Sequence, residues 1–404
     1  MNLKLGKTTY SGKQLTSFIL TIMLWLNLFI ALFPANNGSI LWRFLSGESA
    51  YTGVWIRLLT FINFGGSILI LLLNRRMKAS IILMYFILLY GAFFISKTLN
   101  LYQGDLLGLI GIPIEYLVFY IIIKNFSLKH QVKYILPLLA LWIIVPLLLF
   151  LFGPMSMKLS FISIDPVGRV GTYGGFALHR NYLGYYIGLI IIMVLYSQTN
   201  KYFKIITTII GVVAIFVSTS RSASVCLMIA LAVYGWYSLK KWRIPFFILI
   251  GVLGGVYYVL STQIQIRQTD ITNTSARENL IIAFKDSIAD SPILGKGRDT
   301  RIYSTTYPNG AQAHNFVSQV WSDYGIFTLF FFICFWGSFY FLGNKVVKTY
   351  ISYLISFGLF QPYFMLCIPP PFIWLNILFI SCSANYPRFK DKYLKLRYEK
   401  PIKE

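Results

Sequence analysis

The chain is short of charge, and of negative charge above all. Of 404 residues, 12% are Asp, Glu, Lys or Arg, and only 13 are acids. Soluble domains carry about 25% charged residues, so roughly half the usual complement is missing. That shortage excludes a water-soluble enzyme, and it excludes a disordered chain, which needs charge to stay solvated. Cysteine is scarce as well. Cys226, Cys334, Cys367 and Cys382 all lie in apolar stretches with no CxxC pair and no metal-type spacing, which excludes a disulfide scaffold and reads as four small buried hydrophobes. Also missing are a Gly-rich phosphate loop, an HExxH, a GxSxG and an acidic cluster suited to a divalent metal. Acids within apolar runs reduce to Glu115 and Asp323 as the ones that stand out. An ion-coupled pump would show more.

What is present is apolar: 57% of the residues are hydrophobic and 18% aromatic. A bilayer core takes about 20 apolar residues per helix. That rule places twelve spans near 15–35, 53–73, 79–96, 106–123, 134–153, 179–197, 203–219, 222–239, 244–260, 316–343, 349–367 and 371–386. The first follows a basic start with no small-residue cleavage site, so it reads as a retained span. Pro137 and Pro146 are tolerable inside a span because neighbouring helices satisfy the freed backbone groups. Open sheets cannot span lipid, and an alternating barrel pattern is absent. The fold class expected is therefore an all-α integral membrane protein of about twelve transmembrane helices.

The 36 basic residues fix an orientation. Connections 1–14, 74–78, 124–133, 198–204, 240–243, 344–348 and 387–404 hold 23 of them against the acids Asp391, Glu399 and Glu404. By the positive-inside rule both termini are cytoplasmic. The net charge of +23 is then a topology signal and not a nucleic-acid footprint. The organisation expected is helices 1–5 over 1–153, an external loop at 154–178, helices 6–9 over 179–260, a large external loop at 261–315, helices 10–12 over 316–386, and a basic cytoplasmic tail at 387–404. The tail suits anionic membrane lipid. Within the large loop, residues 275–290 repeat apolar side chains at i, i+3, i+4 and i+7, so that loop is partly helical.

Cations collect at the external ends. Arg169 and Arg180 bracket the sixth span, Arg221 sits in the turn between spans seven and eight, and Arg277, Lys285, Lys296, Arg298 and Arg301 lie in the large loop. Arg221 joins two apolar helices with almost no loop between them, where a cation is costly to desolvate and needs an anion or water. A snorkelling arginine is the plain reading. The functional one is a planar fork that grips phosphate with two bonds. Several forks on one face suit a diphosphate. His130 lies in a basic connection and reads as solvated, His179 stands beside Arg180 and Asn181, and His314 closes the large loop. If 314–325 is one helix, His314 and Gly325 fall about 20° apart on one face, and the glycine allows close packing beneath the histidine. A neutral imidazole there is either a polar cap or a general base for a sugar hydroxyl.

Four blocks follow in order: Gly171-Thr-Tyr-Gly-Gly-Phe-Ala-Leu-His-Arg-Asn-Tyr-Leu-Gly184; Ser218-Thr-Ser-Arg-Ser-Ala-Ser-Val225; Ser275-Ala-Arg277 with Ser291-Pro-Ile-Leu-Gly-Lys-Gly297; and His314-Asn-Phe with Trp321-Ser-Asp-Tyr-Gly-Ile326. Together they resemble the O-antigen polymerase and ligase superfamily of membrane glycosyltransferases. The resemblance covers roughly residues 170–330. It implies a GT-C-like bundle in a bacterial inner (plasma) membrane, with its active site facing the periplasm or exterior. It further implies a polyprenyl-diphosphate-linked oligosaccharide donor, a lipid-linked acceptor, and a chain-length regulator and flippase as partners. By resemblance Arg221 and His314 are the catalytic pair, and Arg277, Arg180, Arg169, Asn181 and Asn315 bind diphosphate or glycan. No metal and no cofactor are expected, because arginines can stabilise the departing diphosphate. A Wzy-type polysaccharide polymerase is the leading expectation. The ligases' Arg-x3-Leu reads Arg221-x3-Val225 here, which leans mildly away from a glycan ligase. A flippase of lipid-linked oligosaccharides is the reading from another class. It would place cations in a central cavity and not at helix ends.

Overall fold

The computed structural model describes residues 2–5, 8–32, 52–73, 80–100, 106–162, 173–177, 180–263, 275–297, 300–301, 313, 315–360, 376 and 379–383. A short antiparallel hairpin, β1 (Asn2–Leu5) and β2 (Thr8–Ser11), precedes the helices with Asn2 opposite Ser11. The sequence reading assigned no element to this stretch. Eight residues are too few to show a period. Helices make up the rest: α1 (Gly12–Leu32), α2 (Thr52–Leu73), α3 (Ile81–Leu99), α4 (Leu106–Asn125), α5 (Val132–Phe152), α6 (Met155–Ser160), α7 (Arg180–Tyr196), α8 (Lys201–Val217), α9 (Arg221–Ser238), α10 (Arg243–Gln263), α11 (Ser275–Asp290), α12 (Phe316–Leu342) and α13 (Lys345–Gly358). Helix α11 occupies the stretch of the large loop read as helical.

Among the described residues, three helical stretches are long and apolar enough to cross a membrane: Ile81–Leu99, Lys129–Phe152 and Phe316–Leu342. Outward faces of the helices are apolar too. Leu138, Leu141 and Leu148 on α5 are exposed, as are Ile205, Ile206 and Ile209 on α8 and Ile244, Ile248 and Val252 on α10. Bands of that kind have no place against water and suit lipid. The chain is an integral membrane protein with an α-helical body.

Polar side chains start the helices. Ser80 accepts from Leu83 N at 3.1 Å, Asn200 from Tyr202 N at 2.9 Å, and Asn344 from Val346 N and Val347 N at 3.0 and 3.2 Å. Each satisfies donors that a helix N-terminus leaves open. Pro137 and Pro146 lie inside α5, which continues through both. Every residue from Leu183 to Val194 on α7 is buried, so this helix is the centre of the bundle, wrapped by α5, α8, α9 and α13. A helix apolar on all sides has to be surrounded on all sides.

One buried polar contact pins α1 to α2. Asn27 and Asn63 exchange side-chain amide bonds of 2.8 and 2.9 Å, and Asn27 also donates to Met23 O at 2.8 Å. Interhelical bonds in membranes average about 0.6 kcal/mol, with a maximum near 1.7. Asn27→Leu strands the Asn63 amide and is expected to cost about 1–2 kcal/mol, seen as a lower unfolding midpoint in detergent. Asn27→Leu/Asn63→Leu should lose less than the sum of the single variants, since neither amide is then stranded.

Contacts give the helices a common polarity. Tyr116 packs on Phe335 and Phe119 on Phe339, so α4 runs parallel to α12. The short connection to α5 reverses direction, and Trp142 and Phe150 of α5 then lie against Tyr186 and Tyr173, beside the start of α7. On α13, Lys345 O accepts from Tyr196 at the far end of α7, while Tyr353 reaches Gly184 near its beginning. The starts of α7, α9 and α12 therefore lie at one end of the bundle. The opposite end gathers the basic connections: Lys204 donates to Leu195 O at 3.3 Å, Arg243 lies over Trp236 at 4.8 Å, and Lys348 over Tyr237 at 4.9 Å.

Candidate active site at one end of the bundle

Two of the helices that begin with arginine, α7 and α9, have their first turns joined. Ser220 Oγ donates to Asn181 Oδ1 at 2.9 Å, and Ser222 Oγ reaches the same oxygen at 3.5 Å. Ser220 is also the N-cap of α9, its Oγ accepting from Ala223 N at 3.4 Å. One hydroxyl thus serves as cap and as strut. One turn further in, a Cβ on Gly184 would overlap the Ala223 methyl, so the small residues at both positions let α7 and α9 approach closely. Tyr353 of α13 donates to Gly184 O and Tyr185 O at 2.9 and 3.1 Å and holds α7 from the other side.

The turn that presents Arg221 is strained. Thr219 sits at φ +53, a region that β-branched residues rarely enter. Such positions cost on the order of 1–3 kcal/mol and cluster at functional sites. Thr219 is nine-tenths buried, and its hydroxyl has no hydrogen bond among the described residues. Arg221 is half-buried as the first residue of α9, and Arg180, the first of α7, is 8% exposed. Each helix start carries about half a positive charge, so two dipoles lie side by side, each start led by an arginine. Such a pair of starts can hold an anion through backbone N–H groups and planar forks together. Gly175, at φ +54, tucks under Leu183 behind this site. Tyr173 next to it is fully buried, and burial pushes its phenol up, so it remains neutral.

The start of α12 is built differently. Asn315 is its N-cap, accepting from Ser318 N at 2.7 Å. Gln319 Oε1 accepts from Ala313 N at 2.8 Å, while Gln319 Nε2 donates to Thr300 O at 3.2 Å and to Asp323 Oδ2 at 2.8 Å. Asp323 Oδ1 accepts from Thr300 N at 2.7 Å. Below this, α12 breaks. Gly325 adopts φ 83 and ψ 175, and the segment after α11 docks into the opening. Lys296 N donates to Ser322 O at 2.9 Å and Gly297 N to Asp323 O at 2.7 Å, while Pro292 O accepts from Ile326 N at 3.1 Å and Trp321 Nε1 at 2.8 Å. The end of α3 completes the joint: Ser96 donates to Leu294 O and Asn100 to Gly295 O at 3.2 Å. Lys97 is buried over the rings of Phe93 and Tyr324 at 5.1 and 5.9 Å.

The expected continuous helix with Gly325 packed beneath His314 is therefore corrected. Gly325 is a break, and what approaches it closely is the backbone at Ile293 and Leu294. Arg180, Asn181 and Arg221 are brought together. Asn315 lies at the same end of the bundle as a helix cap. Arg169, His179, His314, Cys367 and the tail 387–404 lie outside the described residues, as do the side chains of Arg277 and Glu115, although Arg277 itself is in the first turn of α11. Sequence reasoning passed over Gln319 and Asp323 as a pair, and also Ser96 with Asn100. Both pairs have i, i+4 spacing near the end of an apolar run, and that was the available signal.

Residues 206–333 match a family model described as O-antigen ligase. The match runs from α8 into α12, so it includes Arg221, Arg277, His314 and Asn315 and leaves Arg169, Arg180 and Asn181 outside. No curated protein and no solved structure shows a significant match to the chain. It is this segment, spanning the arginine turn, the loop helix and the head of α12, that is similar to the O-antigen ligase family.

Proposed function

We propose that the protein is a polysaccharide polymerase that moves a growing glycan from polyprenyl diphosphate to the hydroxyl of a lipid-linked repeat unit. The observation that carries this reading is the pairing of the α7 and α9 starts through Asn181 and Ser220, each start led by an arginine. A diphosphate is the ligand class that uses two forks and two helix dipoles at once. Arg221 stabilises the charge that develops on the departing diphosphate. Arg180, Asn181, Arg169 and Arg277 hold the lipid-linked donor, and Asn315 contacts glycan. His314 takes the proton from the attacking hydroxyl as the glycosidic bond to phosphate breaks. The proton leaves on the imidazole and the electron pair on the diphosphate.

Membrane placement follows the same logic. The described basic connections gather at the end opposite the arginine pair, which supports the reading that the arginine pair faces the periplasmic or exterior side of a bacterial inner membrane and that both termini are cytoplasmic. By the same resemblance, its partners are a flippase that delivers the donor and a regulator of chain length.

The purified protein is to be supplied with its polyprenyl-diphosphate-linked repeat unit and no other acceptor, with and without chelator. A ladder of longer lipid-linked chains, unchanged by the chelator, is the expected result. A ladder lost with chelator overturns metal independence. Transfer only after a lipid A core or protein acceptor is added makes the enzyme a ligase, the second reading, which the O-antigen ligase description of residues 206–333 favours. An unchanged donor in both conditions returns a flippase to consideration.

A further inference from the structure

The chain neighbours of His314 are both anchored to the first turns of α12 by side chains. Ala313 N–H is bound by Gln319, and Asn315 is the helix cap. Gln319 in turn shares Thr300 with Asp323: Gln319 donates to its carbonyl and Asp323 accepts from its N–H. The Gln319 Nε2 to Asp323 Oδ2 bond of 2.8 Å closes the circuit. Gln319 is 1% exposed and Asp323 3%. A buried carboxylate in an apolar bundle is costly, and this one is spent on holding two loop backbones at one place. We infer that Gln319 and Asp323 are positioning residues that fix the backbone on the N-terminal side of His314, and through it the imidazole, relative to the diphosphate site. The inference rests on the proposed role of His314 as the base.

The donor and acceptor directions make this testable in a way that simple deletion does not. In Asp323→Asn the new amide faces the Gln319 amide donor to donor, and flipping either group moves the mismatch to Thr300 N–H or Ala313 N–H. In Gln319→Glu two carboxylates face each other. Gln319→Glu/Asp323→Asn restores the circuit with its central bond reversed: the glutamate accepts from Ala313 N–H and from the asparagine amide, which still accepts from Thr300 N–H. Net charge is unchanged, and of the bonds named above the one to Thr300 O is lost.

The experiment measures kcat and KM for release of polyprenyl diphosphate from the lipid-linked repeat unit, with binding of polyprenyl diphosphate alone measured in parallel. Misplacing a reacting group by about 1 Å costs up to about 100-fold. Each single variant should lose about 10- to 100-fold in kcat and keep its diphosphate affinity, and the double variant should return to within about 5-fold of wild type. Should a single variant not fold, the double variant carries the test. Singles with wild-type kcat, a double variant no better than the singles, or diphosphate binding lost in step with kcat would each overturn the positioning role. His314→Ala separates the two readings. Wild-type turnover in it overturns the base assignment and the inference with it, whereas lost turnover beside unaffected Gln319→Glu and Asp323→Asn overturns the inference alone.

Discussion

Arg221→Ala is expected to abolish glycan transfer while leaving the protein folded. Removing one preorganised donor to a developing negative charge costs about 100- to 1,000-fold in other enzymes. Here the donor is a charged fork at a helix start, so the loss should reach at least the upper end. Stability should change little, because the α9 cap is made by Ser220 and the close contact by Ala223, neither of which is altered. Arg221→Lys should recover only a small part of the activity, since an ammonium offers a point charge where two parallel bonds are needed. Chain-length distributions on a gel, together with released polyprenyl diphosphate, measure both effects. Wild-type chain lengths from Arg221→Ala would sink the mechanism.

Gly325→Ala should be the most destabilising small substitution in the described part of the chain. At φ 83 and ψ 175 the backbone occupies a region essentially confined to glycine. The added Cβ would also run into the Ile293 carbonyl. Relief requires either straightening α12 or expelling the docked segment, and the second loses the bonds from Lys296 N, Gly297 N, Ile326 N and Trp321 Nε1 together. We expect a loss of at least about 3 kcal/mol, in the range reserved for backbone strain combined with broken buried bonds. Gly337→Ala is the control on the same helix. It lies in regular helix, and its new Cβ would meet Phe341 at an ordinary 4.0 Å. It should be neutral or slightly stabilising. Thermal unfolding in detergent compares the two, and equal midpoints would show that the break in α12 carries no stability.

The helical body was legible because its signal is one-dimensional. Apolar runs of span length mark α3, α5 and α12, and the i, i+3, i+4 spacing in 275–290 marked α11 without any knowledge of what it packs on. Arg221 stood out as a candidate for a related reason, as a cation in a turn with almost no loop between two apolar helices. The β1–β2 hairpin was not, and neither was the break at Gly325. A glycine inside an apolar stretch reads as a packing position, and Gly337, on the same helix, is an unstrained helical glycine. What distinguishes Gly325 is the segment 291–297 arriving against it, some thirty residues earlier in the chain.

Composition and periodicity by themselves determined that this chain is helical and lipid-embedded. These follow from the cost of exposing apolar surface and of burying charge, which each residue incurs locally. Which arginines meet was decided only by tertiary structure. Arg180 and Arg221 are forty-one positions apart and become neighbours because Gly184 and Ala223 let two helices touch, and because Ser220 donates to Asn181. The same holds for Gln319 and Asp323, whose partners Thr300 and Ala313 come from a loop. Hydrogen bonds act over about 3 Å, and a sequence does not specify which distant groups its folding will bring within that reach.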